Sequence, residues 1–151
     1  MYTVIGTVKS RAFRVLWMLE ELGEAYEQVA APPRSEAARS HHPSGKIPVL
    51  LDGAEALTDS TAILTYLADK HARFTAPAGT IGRARQDAMT FRILDEIETP
   101  LWMAARHSFV LPEARRVPAI KESLKQDYAE SIARLMDQVA GPYLCGEAPS
   151  V

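Results

Sequence analysis

In the run Ser44-Gly45-Lys46-Ile47-Pro48-Val49-Leu50-Leu51, a proline stands where an apolar segment begins. Proline has no N–H to give to a sheet ladder, so a strand tolerates it at the start and not at the centre. The position therefore predicts a strand opening at Pro48 or Val49. It also leaves the backbone N–H and C=O of Ile47 without a neighbouring strand. Those two groups can pair with an extended ligand, which makes this segment a candidate peptide-docking edge.

The chain has 151 residues, 47% hydrophobic and 24% charged, the balance of an ordered chain that forms one ordinary domain or two small ones. A formal net charge of -2 and the lack of a dense Lys/Arg run argue against nucleic acid or an anionic membrane as partner. A small uncharged or zwitterionic ligand suits better. Cys145 is the only cysteine, which excludes an intramolecular disulfide, a Cys-x-x-Cys redox pair and a thiolate-rich zinc site, and suits a cytoplasmic protein. The N-terminal run Met1-Tyr2-Thr3-Val4-Ile5-Gly6 has neither a basic flank nor a long apolar stretch, so it reads as a strand rather than a signal peptide or membrane span.

The first half alternates element types. After the strand at residues 2–6, the apolar positions Ala12, Val15, Leu16, Leu19 and Leu22 follow helical spacing, with Ser10 as N-cap and Gly23 as C-cap. Tyr26 to Val29 forms a second strand, and strand-helix-strand at this length predicts a parallel crossover. Residues 30–46 read as a surface connection with room for one short helix. Val49–Leu51 and Glu55–Thr58 flank Asp52-Gly53, a hairpin signal. A helix then starts at Asp59 or Ser60 and runs through Ile63, Leu64 and Leu67 to His71.

The stretch from Ala72 to Gly79 breaks the pattern and is the expected domain boundary, giving an α/β domain at 1–75 and a helical one at 80–151. In the second, Ala84, Ala88, Phe91, Leu94, Ile97 and Leu101 trace one stripe along a helix that Pro100 is expected to kink. Ile120, Leu124, Tyr128, Ile132, Leu135 and Val139 trace another, ending before Gly141-Pro142. Two such helices form an antiparallel hairpin with apolar surface left to cover. The helical domain therefore reads as incomplete, and Ser150 as a helix cap with hardly any helix behind it, which predicts that more polypeptide follows.

With this layout the chain resembles the cytosolic glutathione transferases, of the bacterial, serine-type kind. Ser10-Arg11-Ala12-Phe13-Arg14-Val15-Leu16-Trp17 with Glu20-Glu21-Leu22-Gly23 is similar to the first helix of a serine-type member, and Gly45-Lys46-Ile47-Pro48-Val49-Leu50 to the family's cis-proline segment. The run Leu57–Leu67 is similar to the start of the glutamyl-binding helix, and Gly141–Glu147 to the loop before the sixth helix. Four matches in order are specific where one alone is weak. The resemblance implies a thioredoxin-like N-terminal domain that binds glutathione, a helical C-terminal domain that supplies the pocket for a small hydrophobic electrophile, and a homodimer. Family members continue through further helices beyond this length.

The implied activity is addition of the glutathione thiolate to a small apolar electrophile, with glutathione as co-substrate, no metal, and a detoxification role. Two alternatives stay open: a non-catalytic glutathione- or ligand-binding module, and a glutathione-dependent disulfide reductase. A free thiol with a pKa near ~8.5 is only a few per cent ionised at neutral pH. Ser10 is the candidate that favours the anion, through its hydroxyl and the N–H groups of the helix start, with Thr7 the second hydroxyl. A Ser10 that only caps its helix is the competing reading. Pro48 in cis would present the N–H and C=O of Ile47 to the cysteinyl backbone, against a trans proline that simply opens a strand. Asp59 would take the γ-glutamyl ammonium and Ser60 its carboxylate, or both merely cap a helix. Lys46 is the candidate for the glycyl carboxylate.

The remaining polar and aromatic residues call for less. His41 and His42 are adjacent, so their side chains diverge and make a poor metal site. Arg11 and Arg14 read as surface ion pairs, with Arg11 a candidate for the pocket mouth. Tyr2, Phe13 and Trp17 read as core, and Cys145 as inert packing. Trp102, Arg106, His107 and Phe109 border the electrophile site by family analogy, or act as ordinary packing and helix-end charge.

Overall fold

The computed structural model describes residues 1–151, in two compact units: Met1–Thr75 with Val151, and Ala76–Ser150. The first unit runs β1 (Tyr2–Ile5), α1 (Ala12–Leu22), β2 (Tyr26–Val29), α2 (Glu36–Arg39), β3 (Val49–Asp52), β4 (Glu55–Thr58) and α3 (Ser60–His71). Its single sheet has the order β2-β1-β3-β4. β2 lies parallel to β1, and β1–β3 and β3–β4 are antiparallel pairs. This is a thioredoxin-like unit followed by a helical one, the expected fold class. β3 opens at Val49, so the donor that Pro48 lacks falls outside the ladder.

Strand alternation sorts apolar side chains between two faces. Tyr2, Val4 and Leu50 join Ala12, Val15, Leu16, Leu19, Ile63 and Leu67 in the larger core between the sheet and helices α1 and α3. Ile5 and Val49 point the other way, against Ala31, with Ala37 and Leu51 half-buried beside them. Leu19, Leu50, Ile63 and Leu67 are fully buried. At ~1.5–3 kcal/mol for each such side chain, the larger face supplies most of the apolar driving force.

Helix α1 buries the spacing predicted for it, and Gly23 closes it at φ 75, where its N–H reaches the Glu20 carbonyl at 3.0 Å. Its start differs from expectation. The N-cap residue is Arg11, in helical conformation and without a side-chain cap, and Ser10 lies one residue further out. Phe13 and Trp17 are also not core: they are 52% and 58% exposed. Four residues apart, they share the face of α1 opposite to Ala12, Val15 and Leu19. Tyr2, at 5% exposure, is core as expected.

The second unit contains α4 (Ile81–Arg92), α5 (Thr99–Ala105) and α6 (Ile120–Met136), with widened π-type turns at Ile93–Glu98 and Arg106–Val110 and a single 3-10 turn at Glu113–Arg115. Ahead of Pro100 the helix widens: the Thr99 N–H donates to Leu94 O, five residues back, and Thr99 Oγ1 donates to the same oxygen at 2.9 Å. A proline interrupts the four-residue ladder by lacking its donor and crowding the carbonyl a turn earlier, and the wider turn absorbs both. The stripe expected along this helix is not its buried face. Ala84, Ala88, Phe91 and Leu101 are exposed, while α4 buries Arg83 and Gln86, which bind the Ala76 C=O (3.3 Å) and N–H (2.9 Å). On α6 the expected stripe holds from Ile120 to Leu135, all buried or half-buried, but the helix ends at Met136.

A polar cluster ties β3 to α3 in the first unit. Asp52 accepts from both Tyr66 Oη and Lys70 Nζ, and Lys70 lies 5.0 Å over the Tyr2 ring. Lys70, and after it Tyr66, hold the Asp52 carboxyl below its usual range. A depressed carboxyl stabilises the fold above its unfolded value of ~3.9, and that contribution is lost as pH falls through the folded value. Asp52→Asn is expected to lower the urea midpoint most near neutrality, with the gap to the parent closing below about pH 4. A gap that stays constant with pH in denaturation series would refute the linkage.

Candidate functional site

β1 ends in Gly6, at φ +150, where a Cβ would stand 2.6 Å from Ala12 Cβ and 3.4 Å from Ile47 Cβ. No side chain fits at the first distance. The bare backbone at position 6 is what lets the start of α1 and the Ile47–Pro48 segment close on the same strand end. The junction is pinned from below: Gly6 N–H donates to Val29 O at 3.0 Å, and Gln28 Nε2 donates to Gly6 O at 2.9 Å. Gly45, at φ +64, plays a similar part for the loop before it. A Cβ there would meet Arg34 Cα at 2.8 Å, and its carbonyl accepts the Arg34 N–H at 2.7 Å.

The Ile47–Pro48 peptide is cis. Neither the N–H nor the C=O of Ile47 has a hydrogen-bond partner in the chain, although Ile47 is half-buried and Pro48 buried. Such backbone groups are ordinarily paired, so a pair left open on a strand's approach marks a place for an extended ligand. Lys46, one residue earlier, is exposed.

Ser10 stands at the turn into α1, half-buried. Its Oγ donates to Thr7 O at 2.7 Å and accepts the Ala12 N–H at 3.1 Å. The N–H groups of Phe13 and Arg14 go to the Ser10 and Arg11 carbonyls at 3.0 and 3.2 Å. The helix-start donors expected to face a thiol are therefore committed within the chain. What Ser10 has to offer is its hydroxyl proton, after exchange of the Thr7 carbonyl for another acceptor. The Thr7 side chain is half-buried and makes no hydrogen bond within the chain.

Asp59 and Ser60 lie at the start of α3. Thr58 pairs with Val49 across β3 and β4, so Asp59 and Pro48, each one residue beyond that pair, sit side by side at one edge of the sheet. Asp59 adopts φ 68, ψ 122 and its Oδ1 accepts the N–H groups of Thr61 (2.9 Å) and Ala62 (3.2 Å). Positive φ outside the left-handed well costs on the order of 1–3 kcal/mol, held here by the two cap bonds. Ser60 is 3% exposed, and Arg14 Nη1 donates to its Oγ at 3.4 Å. Arg14, read from sequence as a surface ion pair, also links the two helix starts through this bond.

These contacts gather Ser10, Ile47, Pro48, Asp59 and Ser60, with Arg14, around one end of the sheet. Other candidates lie elsewhere. His42 Nδ1 accepts the Ser44 N–H at 3.2 Å. In the second unit, Arg106 lies 5.9 Å from the Trp102 ring centre, and His107 Nδ1 accepts the Val117 N–H at 3.0 Å. Cys145 is exposed rather than packed, in a turn closed by Tyr143 N–H to Gly146 O at 3.1 Å. No helix is long and apolar enough to cross a membrane.

The fold is that of the glutathione S-transferases, as comparison with known proteins shows. Residues 10–70 match the family model described as the glutathione S-transferase N-terminal domain. Over 99% of its length the chain superposes, with a TM-score of 0.80 and 28% identity, on 75% of a theta class glutathione S-transferase from Xanthomonas axonopodis pv. citri solved with glutathione bound. It also superposes on 77% of a glutathione S-transferase from Pseudomonas fluorescens Pf-5, with a TM-score of 0.78 and 27% identity. Among curated proteins, maleylacetoacetate isomerase of Rhizobium meliloti is 28% identical over 152 residues, 94% of this chain and 71% of that protein.

Gly6→Ala forces a Cβ to 2.6 Å from Ala12 Cβ. Its expected cost is ~1–3 kcal/mol of unfolding free energy, the range for overpacking a closed core. Chemical denaturation measures it. An unchanged midpoint would show that the junction is not close-packed.

Proposed function

We propose that this chain is a serine-type glutathione transferase: it lays glutathione along Ile47–Pro48, holds the γ-glutamyl end at Asp59 and Ser60, and steadies the thiolate with Ser10 for addition to a small apolar electrophile. The observation that carries it is the open Ile47 N–H and C=O beside the cis peptide, on the strand end that also carries the turn of Ser10. The tripeptide backbone supplies the complementary pair. Asp59 has Oδ2 left for an ammonium once Oδ1 has capped α3, and Arg14 adds a cation beside Ser60 that suits a carboxylate. Lys46 is placed one residue from Ile47 for the glycyl carboxylate. The likeness to transferases extends the proposal to a cytoplasmic homodimer.

Ser10 contributes through one exchange. Its oxygen already accepts the Ala12 N–H, which polarises the O–H and strengthens it as a donor. A hydrogen bond to a charged acceptor contributes about 1.5–3 kcal/mol, and giving up the bond to the Thr7 carbonyl costs about 0.5–1.5. The difference corresponds to about one pKa unit on the bound thiol. The same thiolate serves an isomerase: addition to a conjugated double bond, rotation and re-expulsion leave glutathione unchanged.

A second reading, a binding module without catalysis, is favoured by one observation: the Ser10 proton and the first N–H groups of α1 are satisfied inside the chain. Thiolate absorbance of bound glutathione, titrated with pH, separates the two. The transferase reading expects an apparent thiol pKa below the free value and a rise of about one unit in Ser10→Ala, with binding at low pH retained. Binding with an unshifted thiol establishes the module, and absence of binding in the parent chain refutes both.

A further inference from the structure

Gly6 stands where β1 stops pairing with β2, and its two backbone groups are satisfied differently. Its N–H continues the parallel ladder to Val29 O at 3.0 Å. In such a ladder the carbonyl of the same residue accepts from the residue two places further on, here Ala31. Ala31 does not supply that bond: its N–H turns back on Val29 O at 2.7 Å. The carbonyl of the buried Gly6 takes the Gln28 side-chain amide instead, with Nε2 donating at 2.9 Å. A side chain of the edge strand thus replaces a missing backbone donor.

The replacement matters because of what hangs on Gly6. The next residue, Thr7, opens a tight turn, and its carbonyl accepts both the Ser10 N–H at 3.1 Å and the Ser10 hydroxyl at 2.7 Å. Val8 and Lys9, at the tip of that turn, are exposed, so burial does little to hold it. The Ser10 end is tied to α1 through the Ala12 N–H. The Thr7 end has no such tie, since the Thr7 N–H has no partner in the chain, and it takes its orientation from Gly6. Glycine, with no Cβ, restrains its own peptide least of all residues.

We propose that Gln28 is a positioning residue for the Ser10 hydroxyl: its hydrogen bond fixes the Gly6–Thr7 peptide, and with it the turn that presents Ser10. The inference rests on the proposed role of Ser10 as donor to the glutathione thiolate. A donor steadies a developing anion to the extent that it is oriented before the charge arrives. With the Gly6 carbonyl unanchored, the ligand has to order the turn, and the bond to sulfur weakens. The same rotation carries the turn away from Ile47, whose Cβ lies 3.4 Å from where a Gly6 Cβ would stand. Gln28 itself is exposed, so its bond can be removed without opening the core.

The test is the pH titration of thiolate absorbance for glutathione bound to the full chain, with Gln28→Met and Ser10→Ala made singly and together. Methionine keeps the length and neutrality of glutamine and lacks the amide donor. Gln28→Met is expected to raise the apparent thiol pKa by about half a unit, and to add nothing once Ser10→Ala has removed the hydroxyl. Circular dichroism checks that the variants stay folded. A contact that only supports the fold lowers the urea midpoint and leaves the thiol unmoved. An unmoved or lowered thiol pKa in Gln28→Met, or an equal rise in the Ser10→Ala background, overturns the positioning role alone, because Ser10→Ala still shifts the thiol. A thiol that Ser10→Ala leaves unshifted refutes the serine-type reading and the positioning role with it.

Discussion

The contact between a bare backbone at position 6 and its two neighbours is the constraint on which the site depends. Ala12 and Ile47 both come within carbon-contact range of the place where a Gly6 Cβ would be. One strand end therefore receives a helix start from one direction and a cis-prolyl segment from the other. Remove that closeness and the hydroxyl of Ser10 no longer shares an edge with the open backbone pair of Ile47. The larger core acts in support: with Val4, Val15, Leu19 and Leu50 fully buried, neither α1 nor β3 can drift relative to the sheet.

Legibility followed physical locality. The element order, the parallel crossover, the hairpin and the Gly23 cap were readable because spacing and turn chemistry act within a few residues. The prolyl strand start was readable because proline's missing donor is a covalent property. Sidedness was harder. Phe13 and Trp17 read as core by composition, yet Ala12, Val15 and Leu19 already claim the buried face, and two aromatics four residues apart on the other side must look outward. On α4 the error had the opposite sign. Arg83 and Gln86 are buried because they satisfy a distant backbone at Ala76, and no hydrophobic periodicity encodes a hydrogen bond.

In the site, residue identities were legible and their commitments were not. In sequence Ser10 reads as cap or donor; its side chain binds the first helical N–H while holding a proton on Thr7, although Arg11 occupies the cap position. Asp59 likewise caps α3 and still lies beside Pro48. Arg14 reads as a surface ion pair, because a bond spanning 46 residues to Ser60 leaves no local trace in the sequence. These are tertiary facts, resting on which strands become neighbours.

Helix α1 shows how one short element carries three separate demands. Its inner stripe anchors the sheet, its first turn and the turn just before it carry Arg14 and Ser10 toward the site, and its outer stripe leaves Phe13 and Trp17 exposed. A period of 3.6 residues sets these stripes at different angles, with Leu16 on the border between the inner and the outer one. The stripes meet only through rigid-body position: tilting α1 by its outer face would move Ser10 against Ile47. Because the inner stripe is close-packed and α1 is pinned at both ends, by Gly6 at the start and Gly23 at the finish, such a tilt is costly.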